Sequence, residues 1–332
     1  MKPNLFVIGA MKSGTSSLHD YLGFHPEIVM STVKEPEYFQ ADGKHWCEEI
    51  RDANDPGKPS LDRYLQLFPG AEHKTYAGES STWYTAWPTR PGVAGRLHAF
   101  NPEARLIYIV RDPVERAISH YWFSRQQGWV SGPPALLRQH SYYWHVSSYA
   151  MQLRQYLKYF ARDQIYVMTL EELHQAPAAT MGALFRWLDL ELPPEHGDAR
   201  YSERQNPTQT SIRQQSPLGE RLRKSAAFGY AKQVIPVKVR EAARDMIERR
   251  IDRDRIDMTP YVDFLRKMFT PDSLEFEELC GRQFREWTTL WGREAAVTND
   301  GGATAELATA ELANGTAQRL PVHANGASPR PL

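Results

Sequence analysis

The sequence contains only two cysteines, Cys47 and Cys280, far apart along its 332 residues. This excludes a disulfide framework and suits a reducing cytoplasm. Charge of either sign is not in excess either, with 40 Lys and Arg against 40 Asp and Glu. Such a balance gives no basis for a dedicated nucleic-acid binder or a membrane-surface protein, although local patches survive it. Residues 203–255 form one, with six more basic than acidic side chains. No run approaches the roughly 18 to 20 apolar residues of a membrane span, so no integral membrane segment is expected. The apolar stretch Leu5 to Met11 is too short for a signal-peptide core. No His, Cys or acidic cluster has metal-ligand spacing, and no metal is expected. From Ala295 onward aromatics are absent as well, and the tandem Thr304-Ala-Glu-Leu-Ala and Thr309-Ala-Glu-Leu-Ala predicts a disordered tail over 295–332.

What is present, 41% hydrophobic and 24% charged residues, is the composition of a globular domain, expected over 1–294. Leu5 to Ile8 is an apolar run without polar alternation, as a strand buried on both faces requires. Thr15 to Phe24 has Leu18, Tyr21 and Leu22 at helical spacing and ends at His25-Pro26. Further extended runs are Ile28 to Met30, Thr75 to Gly78, Leu106 to Val110 and Ile165 to Thr169, with helical patterns between most of them. The alternation predicts an α/β fold, a P-loop-like three-layer domain whose mostly parallel central sheet carries helices on both faces. Asp112 and Pro113 mark the start of a helix running to about Arg125, and others are expected over Ser148 to Phe160 and Pro177 to Leu188. Residues 193–220 read as a long loop.

Gly9-Ala-Met-Lys12-Ser13-Gly14-Thr15-Ser16 lies where the first strand meets the first helix, so backbone amides and the helix dipole converge on an anion. A nucleoside-triphosphate P-loop has its lysine directly after the second glycine. Here that position is Thr15, and the lysine stands in mid-loop as Lys12.

At this point the chain resembles the sulfotransferases that use 3′-phosphoadenosine 5′-phosphosulfate (PAPS). Lys12-Ser13-Gly14-Thr15 is similar to their 5′-phosphosulfate loop, and Val110-Arg111 through Ser119-His120-Tyr121 to their 3′-phosphate signature. Lys34-Glu35-Pro36-Glu37-Tyr38-Phe39 resembles a motif of the heparan-sulfate and Golgi-type branch and its bacterial relatives. Gly78-Glu79-Ser80-Ser81-Thr82 resembles the next, with Ser80 where many members have lysine. Tyr261 to Trp287 resembles a C-terminal helix and tryptophan of bacterial members.

The resemblance implies PAPS as sulfuryl donor and no need for a metal. Lys12 would stabilise the transferring group, with Ser13, Gly14, Thr15 and Ser16 around the 5′ end and Arg111 and Ser119 on the 3′-phosphate. Glu35 is the favoured general base and Glu79 the reserve. Tyr149 is expected to stack on adenine, and Arg213, in the segment with Asn206, Thr208 and Ser211, to add a second cation. Trp83 and Trp122 stand out among the aromatics for the acceptor, a glycan, glycoconjugate or small natural product. Two other readings compete. A P-loop nucleotide kinase is opposed by Thr15 in the lysine slot, and a non-catalytic nucleotide-binding module requires Lys12 and Glu35 to be bystanders.

Overall fold

The computed structural model describes residues 1–40, 47–52, 55, 58–127, 129, 130, 132–139, 141–193, 196–201, 211–215, 248–253 and 256–292, with 211–215 and 248–252 as backbone. Five strands form one sheet: β1 (Leu5–Gly9), β2 (Ile28–Met30), β3 (Tyr76–Ser80), β4 (Arg105–Val110) and β5 (Ile165–Thr169). Their order is β2-β3-β1-β4-β5, and every neighbouring pair is parallel. The helices are α1 (Thr15–Gly23), α2 (Leu61–Leu65), α3 (Val93–Phe100), α4 (Pro113–Gln126), α5 (Leu136–Gln139), α6 (Ser141–His145), α7 (Tyr149–Leu157), α8 (Leu170–Gln175), α9 (Pro177–Trp187), α10 (Thr259–Cys280) and α11 (Thr288–Trp291).

The unbroken apolar runs of β1 and β4 follow from this layering. Phe6, Ile8, Leu106, Tyr108 and Val110 face a core shared with α3, α4, α7 and α10, while Leu5, Val7, Ile107 and Ile109 face a second core under α1 and α9. Both faces of each strand are therefore dry, and polar alternation has no place in either. Because all five strands run the same way, the loops after β1, β3, β4 and β5 gather at one edge. That is where an open α/β sheet binds ligands.

Two aspartates, Asp112 buried and Asp272 partly buried, fix helix starts at or near this edge. Asp112 Oδ1 accepts from Val114 N at 3.0 Å and Glu115 N at 3.3 Å, capping α4, while its Oδ2 accepts from Leu290 N at 2.8 Å. Asp272 reaches across from α10 to accept from Ala150 N and Met151 N, both at 3.0 Å, and caps α7. Trp287 is fully buried and stacks on Phe284 with centroids 4.3 Å apart, so the C-terminal tryptophan is a core residue.

Two expectations are revised. Within 193–220, Ser211–Gln215 is not loop but strand β6, paired antiparallel with β7 (Glu248–Asp252). Ser-Ile-Arg-Gln-Gln has one apolar residue and so lacks the alternation that signals a half-buried strand. The third strand also starts and ends later than Thr75 to Gly78, which puts Glu79 inside it. Residues 295–332 and the positions Asn206 and Thr208 lie outside the described residues.

Candidate active site

The first half of the site is the turn from β1 into α1. Ala10 N donates to Ile109 O at 2.6 Å and Ser13 N to Ala10 O at 3.1 Å, folding the segment tightly over the sheet edge. Gly14 caps α1 with φ 86, a left-handed conformation that favours glycine, and a Cβ there would lie 2.5 Å from Leu170 Cδ1 and push that side chain aside. Lys12 has φ 70, a left-handed conformation unusual for a residue with a side chain. Its Nζ sits 4.4 Å from the centre of the Phe123 ring. Among the described residues no carboxylate pairs with it. Burial lowers its pKa, and the neighbouring charges of Arg111, Arg253, Lys34 and Arg116 push the same way.

The opposite wall is α4. On this helix Glu115, Ser119 and Phe123 recur every fourth residue and are only partly buried, whereas Arg116, Ala117, His120 and Tyr121 are buried. One stripe thus faces open space while the others pack. Arg111 stands just before the helix, its Nη2 3.3 Å from Glu115 Oε2. Beneath both walls lies Arg116, fully buried, donating to Ser147 Oγ at 2.5 Å, Tyr143 O at 2.8 Å and Met11 O at 3.3 Å. It fixes the carbonyl next to Lys12 and leaves a cation under the loop.

These elements bound one cleft of about 680 Å³, which receives Lys12, Gly14, Thr15, Ser16, Glu35, Trp83, Arg111, Ser119 and Trp122. A cleft of this size is typical of small-molecule sites. Nine of the residues expected from sequence therefore meet, although Glu35 is 76 residues before Arg111. Glu35 has φ 61, its N–H donates to Ser80 O at 2.9 Å, and its Oε1 is 2.5 Å from Lys34 Nζ.

Three expected residues stand elsewhere, and the side chain of a fourth lies outside the described residues. Tyr149 does not face the cleft. Its ring is fully buried against Tyr108, Phe276 and Trp287, and its hydroxyl donates to Arg111 O at 2.7 Å, so it holds the Arg111 backbone. The first turn of α7 packs inward, which a helical tyrosine does by default. Glu79 is fully buried, accepting from Tyr64 Oη and Tyr84 Oη at 2.8 Å each and from Ser81 Oγ at 2.6 Å. Burial raises its pKa to about 7, against the pull of those hydrogen bonds. Ser13 is fully buried, and its amide is spent on Ala10 O. The side chain of Arg213 lies outside the described residues, though its strand pairs with the one that precedes Arg253.

Other cleft residues were not singled out from sequence. Arg253 places its guanidinium 5.3 Å from the Trp122 ring, and Lys34 adds a second cation beside Glu35. Trp129, 60% exposed, meets Phe123 edge-on at 5.4 Å. Glu171 Oε1 accepts from Asp112 N at 3.0 Å, its Oε2 has no hydrogen-bond partner, and burial raises its pKa to about 7. Glu171 lies in the first turn after β5 at the ligand edge, and that position alone marks it in the sequence. Among the described residues there is no His, Cys, Asp and Glu group fit to hold a metal ion, and no helix long and apolar enough to cross a membrane.

A glycine-bounded turn into a helix at the central strand of a parallel sheet, with an arginine at the end of the next strand, defines an anion-binding α/β domain of the nucleotide-using kind. A sequence profile of the Sulfotransferase family matches residues 3–194, more than half of the chain, and the chain belongs to that family. It is 35% identical over 127 residues to the membrane-associated sulfotransferase kil1 of Dictyostelium discoideum, covering 37% of this chain and 23% of that protein. To carbohydrate sulfotransferase 15 of Homo sapiens it is 31% identical over 153 residues, 36% of this chain and 27% of that one. To the bifunctional heparan sulfate N-deacetylase/N-sulfotransferase 2 of Homo sapiens it is 26% identical over 212 residues, 57% and 22% of the two chains. The chain thus matches about a quarter of the length of these relatives. A sulfotransferase from Alicyclobacillus acidocaldarius shares the fold, with a TM-score of 0.58 at 23% identity over 86% of this chain and 99% of that one.

Proposed function

We propose that this chain transfers the sulfuryl group of PAPS to an acceptor hydroxyl by in-line displacement. The observation that carries the reading is the meeting of Lys12, Arg111, Ser119 and Glu35 in one cleft, from three separate stretches of sequence. The cleft fits such a donor. Among the described residues it is lined by four cations, Lys12, Lys34, Arg111 and Arg253, against two carboxylates, Glu35 and Glu171, and this surplus suits a ligand carrying several negative charges. When bound, PAPS supplies an activated sulfuryl group whose departure leaves a phosphate.

Each residue then has a task. Lys12, free of any carboxylate among the described residues, meets the non-bridging oxygens, with Gly14, Thr15 and Ser16 around the 5′ end. Arg111, its backbone held by Tyr149 and its guanidinium by Glu115, meets the 3′-phosphate together with Ser119 two turns along α4. Glu35 takes the acceptor's proton, since it reaches the cleft while Glu79 is sealed in the core. Trp83, Trp122 and Trp129 form the aromatic wall for the acceptor, read here as a glycan, glycoconjugate or small natural product. Two free cysteines fit a reducing, cytoplasmic setting.

Thermal shift tests the reading. PAP, the 3′,5′-bisphosphate left after transfer, is expected to raise the melting temperature without magnesium, whereas ATP with magnesium is expected to do so far less. Equal stabilisation by both favours a kinase-type site and refutes the reading; radiolabelled PAPS with an acceptor panel then identifies the acceptor.

A further inference from the structure

β3 does not deliver a cation to the cleft. It ends in Ser80, which is fully buried with its Oγ 3.0 Å from His19 Nδ1. The basic side chain entering beside Glu35 is Lys34, whose Nζ lies 2.5 Å from Glu35 Oε1. Both side chains remain about a quarter exposed, 27% and 25%, so the pair is open to a ligand. The Glu35 end of the pair is held by the left-handed backbone and the hydrogen bond to Ser80 O. The Lys34 charge reaches across to Lys12 and His19, where it adds to burial in lowering both pKa values.

We propose that Lys34 is a second catalytic cation, which leaves the Glu35 carboxylate for the departing 5′-phosphate oxygen as transfer proceeds. The inference rests on the reading of the cleft as a PAPS site with Glu35 as base. In the step, an electron pair of the acceptor oxygen forms the new O–S bond. The S–O bond to the 5′-phosphate breaks with its pair passing to the phosphate oxygen, and the acceptor's proton goes to a Glu35 carboxylate oxygen. Negative charge is thus lost at Glu35 as it develops on the phosphate. Lys34 stays protonated throughout and follows the charge, since at this range an ammonium gains more from a full anion than from a neutral carboxyl.

Calorimetry with PAP on the full chain reads this exchange without turnover. Neutralising Glu35 releases Lys34, so Glu35→Gln is expected to tighten PAP by about tenfold, and adding Lys34→Ala to remove that gain. In the unsubstituted background Lys34→Ala is expected to change PAP affinity by less than about threefold, because the carboxylate already occupies the amine. A gain that survives Lys34→Ala, or effects that simply add, overturns the proposal. PAPS turnover with water as acceptor gives a second readout: Lys34→Ala is expected to lose about a hundredfold in rate at near-full PAP affinity, partly restored by methylammonium. Unchanged turnover overturns it as well. Failure of the unsubstituted protein to bind PAP overturns the functional reading itself and is distinct from either result.

Discussion

Glu79 offers a test in which stability and function separate. Its pKa is raised from 4.5 to about 7, mainly by burial. The native state therefore holds a proton that the unfolded chain has already released. Below about pH 4.5 both states are protonated and the group contributes its full stability. As pH climbs through the native value of about 7 that contribution is lost, and above it the loss is complete. The rise corresponds to about 3 kcal/mol. Glu79→Gln removes the titration but keeps an oxygen for Tyr64 and Tyr84 and offers Ser81 Oγ a donor. Relative to the unsubstituted protein it is expected to gain about 3 kcal/mol of stability between pH 4 and pH 8, read from urea midpoints at several pH values. A difference that stays flat, or that shrinks as pH rises, refutes the argument. Glu79→Ala, by contrast, strands three hydroxyls at about 1 to 3 kcal/mol each and is expected to destabilise at every pH. PAP affinity of Glu79→Gln is expected to match that of the unsubstituted protein, because the carboxyl never reaches the cleft.

Three more outcomes follow from the geometry. Glu35→Gln is expected to slow PAPS turnover by about 10²- to 10⁴-fold without weakening PAP binding, and a parallel loss of binding in calorimetry contradicts its role as base. Arg111→Ala removes a charge-assisted donor and is expected to weaken PAP by about tenfold to a hundredfold; an unchanged dissociation constant removes Arg111 from the site. Asp112→Ala deletes the α4 cap and strands Leu290 N, costing about 2 to 4 kcal/mol in chemical denaturation, and a loss below about 1 kcal/mol shows that solvent replaces the carboxylate.

The sequence makes the sheet and the anion loop readable for one physical reason. Strands dry on both faces read as unbroken apolar runs, and the start of α4 carries Asp112 and Pro113 in the order a helix N-terminus requires. Seven of the nine residues that meet in the cleft are legible because they lie in short motifs that begin at strand ends, whereas Trp83 and Trp122 are legible only as large aromatics close to those motifs. What escaped depends on which way a side chain turns. Tyr149 and Glu79 are a ring and a carboxylate that function could equally have used, yet both point into the core, and only packing decides that. Arg253 was hidden differently: it follows β7, a strand whose pattern Glu-Arg-Arg-Ile-Asp carries no periodic signal. Lys34 stands one residue from a recognised glutamate, and the 2.5 Å contact between the two side chains is one that adjacency alone does not predict.

The double use of Asp112 reaches into how the protein is made. One oxygen starts the helix that carries Ser119, and the other waits for Leu290, 178 residues further on. A ribosome releases the chain in order, at about 5 to 20 residues each second, so the sheet and the anion loop are out long before that amide arrives. Until then the carboxylate has two of its three partners and Trp287 is not yet there to close the core behind Arg111. Nascent chains therefore carry the anion loop and the Arg111 motif before the packing that backs them is complete, so the support of the Arg111 wall is finished last.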